Sequence, residues 1–190
     1  MPPDLDRTPT FVLRRPIVLV GMMGSGKTAI GRALSTKLSV PFLDSDAEIV
    51  EAAQASIAEI FERDGEAFFR EREAEVIARL LSGEVCVLST GGGAFLAERN
   101  RVAVATKGVS IWLDASLDLL WERVRHKDTR PLLKTPDPFG TLEEIYEART
   151  PIYRQAQLSV SVRTEASIDE TTQQVVDLLL GHPEILERGR

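Results

Sequence analysis

The chain holds one cysteine, Cys86, in 190 residues, so no internal disulfide can form. Its place in the apolar run 85–88 marks it as a buried, inert thiol rather than a nucleophile, a pattern that suits a reducing cytoplasm. No apolar stretch approaches the ~20 residues that a membrane span requires. Arg14-Arg15 ahead of an apolar run resembles a secretory start, but the run is short and passes straight into a glycine-rich loop. A net charge of −6 gives no broad basic footprint for nucleic acid. Asparagine is almost missing: Asn100 is the only one, and Arg101 follows it. The chain therefore has no Asn-Lys-x-Asp base reader, which excludes a GTPase switch. Asp137-Pro138-Phe139-Gly140 imitates the Asp-x-x-Gly switch, but it lies in a cationic, proline-broken segment instead of after a strand. What remains is ordinary, with 43% hydrophobic and 27% charged residues, the balance of a globular protein. The length is enough for one well-buried domain and short for two.

The most informative stretch is Ile17-Val18-Leu19-Val20-Gly21-Met22-Met23-Gly24-Ser25-Gly26-Lys27-Thr28. It fits the P-loop pattern G-x-x-x-x-G-K-[ST], with a buried strand before it and helical spacing of Ile30, Ala33, Leu34 and Leu38 after it. Gly21, Gly24 and Gly26 let the backbone turn tightly and aim N–H groups inward, where side chains would block a phosphate. The following helix directs its unpaired N–H groups and positive dipole end at the same point. Lys27 adds a point charge for the β- and γ-phosphates, and the Thr28 hydroxyl is a hard ligand for Mg²⁺.

Further on, Phe42-Leu43-Asp44 reads as a second strand, and Asp44-Ser45-Asp46 puts two carboxylates at its carboxyl end, where open α/β sheets bind ligands. Asp46 also reads as a cap for a helix starting at Ala47, a role that does not exclude one in the site. Ser56–Glu59 is a capping box, Gly65 interrupts, and a helix runs from about Glu66 to Leu81, with Arg70 and Glu73 on one face. A third strand, 85–89, runs into Thr90-Gly91-Gly92-Gly93. Three glycines after a buried strand are costly in chain entropy, and a close approach of backbone to ligand explains them better than turn-making. A helix follows over about 95–106, then a strand at 109–113 and a helix at 116–124. Residues 123–140 combine Arg123, Arg125, Lys127, Arg130 and Lys134 with three prolines, and read as a lid over the nucleotide. Thr141 is expected to cap the returning helix, which Pro151 is expected to kink. A fifth strand at 158–162 precedes a last helix striped by Ile168, Thr172, Val175 and Leu179. The pattern predicts one three-layer α/β domain over 16–180, with about five parallel strands and a helical patch at about 44–81. Residues 1–15 are expected to be a loose extension, and 181–190 a tail outside the core.

With these residues in view, the chain resembles the shikimate kinases over about residues 16–180. Six separated motifs carry the likeness: GMMGSGKT, FLDSDAEI, Phe69-Arg70-Glu71-Arg72-Glu73, STGGG, the lid Arg130–Leu133, and Arg149-Thr150-Pro151-Ile152-Tyr153. The resemblance implies an ATP- and Mg²⁺-dependent kinase for the 3-hydroxyl of shikimate. It implies that Asp46 contacts the ring hydroxyls and accepts the proton of the attacking one. Arg70 and Arg149 would clamp the ring carboxylate with the backbone of Gly91, Gly92 and Gly93, Glu73 would orient Arg70, and Phe61 and Phe69 would wall the ring. Gly24, Ser25, Gly26, Lys27, Thr28 and Ala29 would hold ATP, with Arg123 against adenine. Arg130 would touch the transferring phosphate. Thr28 would bind Mg²⁺, with Asp44 and Ser89 holding its waters. A monomer without membrane or nucleic-acid partners is implied too. Two other readings stay open on this fold: a kinase for another small acceptor, such as gluconate or a nucleoside monophosphate, and a non-catalytic nucleotide-binding module.

Overall fold

The structure is a computed structural model that describes residues 10–127 and 131–189. Among the described residues the strands are β1 (Phe11–Leu13), β2 (Ile17–Val20), β3 (Phe42–Asp44), β4 (Val87–Ser89), β5 (Val109–Ala115), β6 (Leu158–Val162) and β7 (Leu186–Arg188). The α-helices are α1 (Lys27–Leu38), α2 (Ser45–Ala53), α3 (Ile57–Leu81), α4 (Glu98–Lys107), α5 (Leu117–Val124), α6 (Pro138–Tyr153) and α7 (Ile168–Leu180). Five strands form one parallel sheet in the order β3-β4-β2-β5-β6. The predicted α/β class and strand number both hold.

The continuous apolar run at 17–20 follows from this position. β2 lies at the centre of a sheet with helices on both sides, and its four residues are at most 1% exposed. Parallel neighbours need helical crossovers, so the chain runs from β2 out to β3, returns to β4 between them, and then crosses to β5 and β6. The reversal lies beside β2, the place where such sheets open a crevice outside their carboxyl ends. The register sharpens this, because Ser89 pairs with both Leu19 and Asp44. The loops after β2, β3 and β4 therefore leave the sheet at nearly one level. Thr90 fastens two of them, its N–H and Oγ1 both donating to Leu19 O.

The patch predicted at about 44–81 has a core of its own. Ile49, Ile60 and Phe69 are buried together, with Ala55, Ile57, Phe61 and Val76 against them. Gly65 breaks the helical run as expected: at φ 85° and ψ 169° it lies outside helical space, where glycine alone sits comfortably. Beyond the break, Ile77 and Leu81 carry α3 into the main core.

Three expectations are corrected. Residues 11–13 and 186–188 are not loose ends: β1 and β7 pair antiparallel, Leu13 opposite Leu186. Arg14 N–H donates to Ile185 O at 2.8 Å, and Arg14 pairs with Glu187. Ile185 and Leu186, at 5% and 1% exposure, complete the main core, so burial holds the ribbon in place. The segment between helices, expected as a lid over 123–140, is also shorter than that. α5 reaches Val124, and α6 begins at Pro138, capped by Asp137, whose Oδ1 accepts from Gly140 N–H at 3.1 Å. Thr141 is therefore inside the helix; the Asp-Pro pair starts it because proline suits the first turn. Leu133, 8% exposed, belongs to the main core. Pro151 sits in the last turn of α6, where the ring forfeits a backbone bond while the helix continues to Tyr153.

If the terminal ribbon is part of the core, Leu186→Ala will lower unfolding free energy by about 2–4 kcal/mol in urea titration. The exposed Val12→Ala in the same ribbon should cost less than about 1 kcal/mol.

Candidate active site

β2 delivers the chain into the glycine-rich loop, where Gly21, Gly24 and Gly26 take φ values of 146°, 82° and 98°. Gly26 is the N-cap of α1 and supplies no side-chain cap, so the first-turn N–H groups face the crevice. Lys27 Nζ donates to the carbonyls of Gly21 at 2.8 Å and Met22 at 3.0 Å, which lays the ammonium along the loop. Arg123, from α5, donates from Nη1 to Gly24 O at 3.0 Å. Burial pushes its pKa down from the usual guanidinium range.

A cavity of about 590 Å³ opens above this loop, within the span of small-molecule sites. Gly24, Gly26, Lys27, Thr28, Ala29 and Arg123, the residues expected to hold a nucleotide, line it. Ser25 does not. Its side chain is fully buried and its N–H closes a turn onto Met22 O at 3.1 Å. Thr28, Asp44 and Ser89 line the same cavity. No cluster of three His, Cys, Asp or Glu suited to a metal occurs among the described residues. A hydroxyl with two water-holding groups fits Mg²⁺, which keeps most of its waters and relies on phosphate oxygens.

At the acceptor side the chain turns directly from β3 into α2. The expected cap is corrected by two residues: Asp44 Oδ1 accepts from the N–H groups of Asp46 at 2.9 Å and Ala47 at 3.2 Å. Asp46 is left within the first turn, its carboxyl turned to the cavity. Burial, and then the neighbouring Asp44, raise its pKa above the ordinary 3.8; Lys27 and Arg70 pull the other way.

The three glycines after β4 explain themselves by what a side chain would strike. A Cβ on Gly91 would come within 2.8 Å of Asp46 Oδ1, one on Gly92 within 3.2 Å of Arg149 Nη1, and one on Gly93 within 2.6 Å of Arg70 Nη2. Residues separated by a hundred positions thus converge on three consecutive peptide units. Each arginine is also braced. Arg70 Nη1 donates to Glu73 Oε1 at 2.9 Å, its guanidinium carbon lies 5.2 Å from the Phe69 ring centre, and Glu66 is 3.7 Å from Nε. Glu73 is 1% exposed; burial raises its pKa, while Arg70 draws it down. Arg149 sits one helical turn before Tyr153, whose hydroxyl donates to Gly92 O at 2.5 Å. Burial raises the tyrosine pKa, and Arg149, also hydrogen-bonded to it, opposes that.

Not every predicted residue joins the site. Phe69 is 3% exposed and meets Phe61 in a tilted contact at 4.7 Å in the small core, and neither ring lines the cavity, nor do Arg70, Glu73, Gly93 and Arg149, which stand behind its Gly91–Gly92 wall. Arg130 lies outside the described residues. Conversely, Lys127, Val162, Ala166, Ser167, Ile168 and Thr171 line the nucleotide side, and sequence reasoning had assigned none of the last five. Ile168 had been placed in the core stripe of α7, yet it is 53% exposed. The available signal was the capping box Ser167–Glu170, which sets the start of α7 just past the carboxyl end of β6.

The family model for shikimate kinase matches residues 23–180. A shikimate kinase of Ruegeria pomeroyi is 61% identical over 175 residues, covering 92% of this chain and 90% of its own. One of Cereibacter sphaeroides is 57% identical over 175 residues, covering 92% and 87%. Among solved structures, the shikimate kinase from Acinetobacter baumannii in complex with shikimate aligns with a TM-score of 0.83 at 36% identity, covering 88% of this chain and 93% of that one.

The raised pKa of Asp46 has a consequence for stability. The folded state holds this proton more tightly than the unfolded state, so stability falls as pH rises from 3.8 through the folded value. Asp46→Asn should therefore melt at a higher temperature than the parent at pH 7, with the difference shrinking as pH falls toward 3.8, by calorimetry.

Proposed function

The chain belongs to the shikimate kinase family and phosphorylates shikimate with ATP, and we propose that the residues around the glycine triplet divide that reaction between them. The observation that carries this reading is the close approach of Asp46, Arg149 and Arg70 to Gly91, Gly92 and Gly93 respectively. Two guanidiniums on one backbone segment suit a planar carboxylate far better than a neutral sugar. Arg70 and Arg149 hold the ring carboxylate, Glu73 keeps Arg70 in its rotamer, and Tyr153 ties the helix of Arg149 to Gly92. This sets the ring against Asp46, at the boundary between the clamp and the phosphate loop.

Asp46 accepts the proton of the 3-hydroxyl as that oxygen bonds to the γ-phosphorus and the bond to the β–γ bridging oxygen breaks, releasing ADP. Its raised pKa makes it a better base than an exposed aspartate. Phosphoryl transfer depends chiefly on in-line positioning and neutralised charge. The N–H groups at the start of α1 and Lys27 hold the triphosphate on this side, and the resemblance adds Arg130 for the transferring phosphate. Thr28 would hold Mg²⁺, with Asp44 and Ser89 beside it in the same cavity, and the ion would supply charge neutralisation there. Adenine lies toward Ile168 and Ala166, beside Arg123. We infer a monomer of the cytoplasm, a reading supported by the gathering of these residues within one chain and by the buried, free Cys86 with its pKa pushed up to about 11.

The direct test is ADP release from ATP and Mg²⁺ with shikimate, gluconate or AMP as acceptor. Release with shikimate alone is expected; equal or greater release with gluconate or AMP would overturn the acceptor assignment. Arg149→Ala should raise the KM for shikimate at least about tenfold while the KM for ATP stays near the parent value. An equal loss for both substrates would move Arg149 to the nucleotide or the fold.

A further inference from the structure

The clamp residue Arg70 belongs to α3 and its glycine platform to the loop after β4, so something must hold the helix and the loop in one register. Three consecutive residues at the start of α4 meet that need. Asn100, 3% exposed, donates from Nδ2 to Ala94 O at 2.8 Å. Arg101 Nη1 donates to Phe95 O at 2.8 Å and Leu96 O at 2.7 Å. The loop is further wound by Ala94 N–H to Gly91 O at 3.0 Å and Leu96 N–H to Gly93 O at 3.2 Å. Together these bonds make α4 and the glycine segment one unit. The remaining member, Arg99, reaches the other way, from Nη2 to Arg70 O at 2.9 Å and from Nη1 to Glu71 Oε2 at 2.8 Å.

We propose that Arg99 is a positioning residue for shikimate, a forked brace that sets the backbone of Arg70 against Gly93. The circuit closes through named contacts: Gly93 to the Arg70 guanidinium, Arg70 O to Arg99, and α4 back to Gly93 through Asn100 and Arg101. The Arg99–Glu71 pair alone would not carry the claim. Both side chains are about half exposed, and such pairs contribute little to stability. The bond to the Arg70 carbonyl is what makes the fork specific, because it grips the residue whose side chain touches the glycine platform. Misplacing that guanidinium would weaken recognition of the carboxylate without touching the phosphate loop, which stands on different strands and helices.

The inference rests on the clamp reading of Arg70, and the experiment separates the two. Steady-state constants are measured for Arg70→Ala, Arg99→Ala and Glu71→Ala in the full chain, with melting temperatures. The expected result is a shikimate KM raised about tenfold in Arg99→Ala, with the KM for ATP unchanged and melting within about 2 °C of the parent. Glu71→Ala, which spares the bond to the Arg70 carbonyl, should stay within about twofold. A normal shikimate KM in Arg99→Ala beside a crippled Arg70→Ala overturns the brace and leaves the clamp standing. A normal Arg70→Ala overturns both. A rise for both substrates in Arg99→Ala, or an equal effect of Glu71→Ala, assigns Arg99 to general stability or to the ion pair, and overturns the proposal.

Discussion

The close approach of backbone to charge at residues 91–93 is the constraint on which the rest of the site is built. A carboxylate and two guanidiniums stand so close to three successive α-carbons that a Cβ on any of them would press on a charged group at 2.6–3.2 Å. Such a cluster is electrostatically mixed, with Asp46 and Glu73 against Arg70 and Arg149, and each charge needs the others once it is partly removed from water. The glycines let the loop serve as a common surface on which the charges are spaced. The rest of the domain supports that surface: β4 delivers the loop, α3 and α6 bring one arginine each, and α2 brings the aspartate.

Burial sets the chemistry of the two carboxylates in different ways. Asp46 is destabilised as an anion by its surroundings and by Asp44, and the same destabilisation makes it a stronger proton acceptor. Glu73 lies deeper, at 1% exposure, with Arg70 as its hydrogen-bonded partner. It fixes an arginine that has further donors for a ligand. Aromatic residues join this support, since Phe69 lies beneath the Arg70 guanidinium and Phe61 beneath Phe69. The patch is thus a small hydrophobic core with a charged outer face.

The donor half was largely legible in the sequence because its geometry is local. Gly21, Gly24, Gly26, Lys27 and Thr28 lie within one turn-and-helix unit, where spacing and backbone freedom settle the outcome. Ser25 shows the limit: its neighbours face the phosphate site, but which way its own side chain turns depends on packing under the loop. Glu73 was readable in part, standing four residues from both Phe69 and Ile77 in the buried stripe of α3. Ile168 was misread for the complementary reason. It satisfies the helical stripe of α7, yet α7 begins beyond the sheet edge, and its first residue looks into the cavity.

The sequence alone determined the class of the fold and the glycine-rich loop, because strand patterns, glycine positions and caps act over a few residues. Tertiary structure decided that Asp44 rather than Asp46 caps α2, that the termini zip into a ribbon closed by Leu186, and that Arg99 reaches the carbonyl of Arg70. These depend on distances between elements that are remote in the chain. Such distances are set by the order of the strands and by which side chains find room between the layers, and no local pattern encodes them.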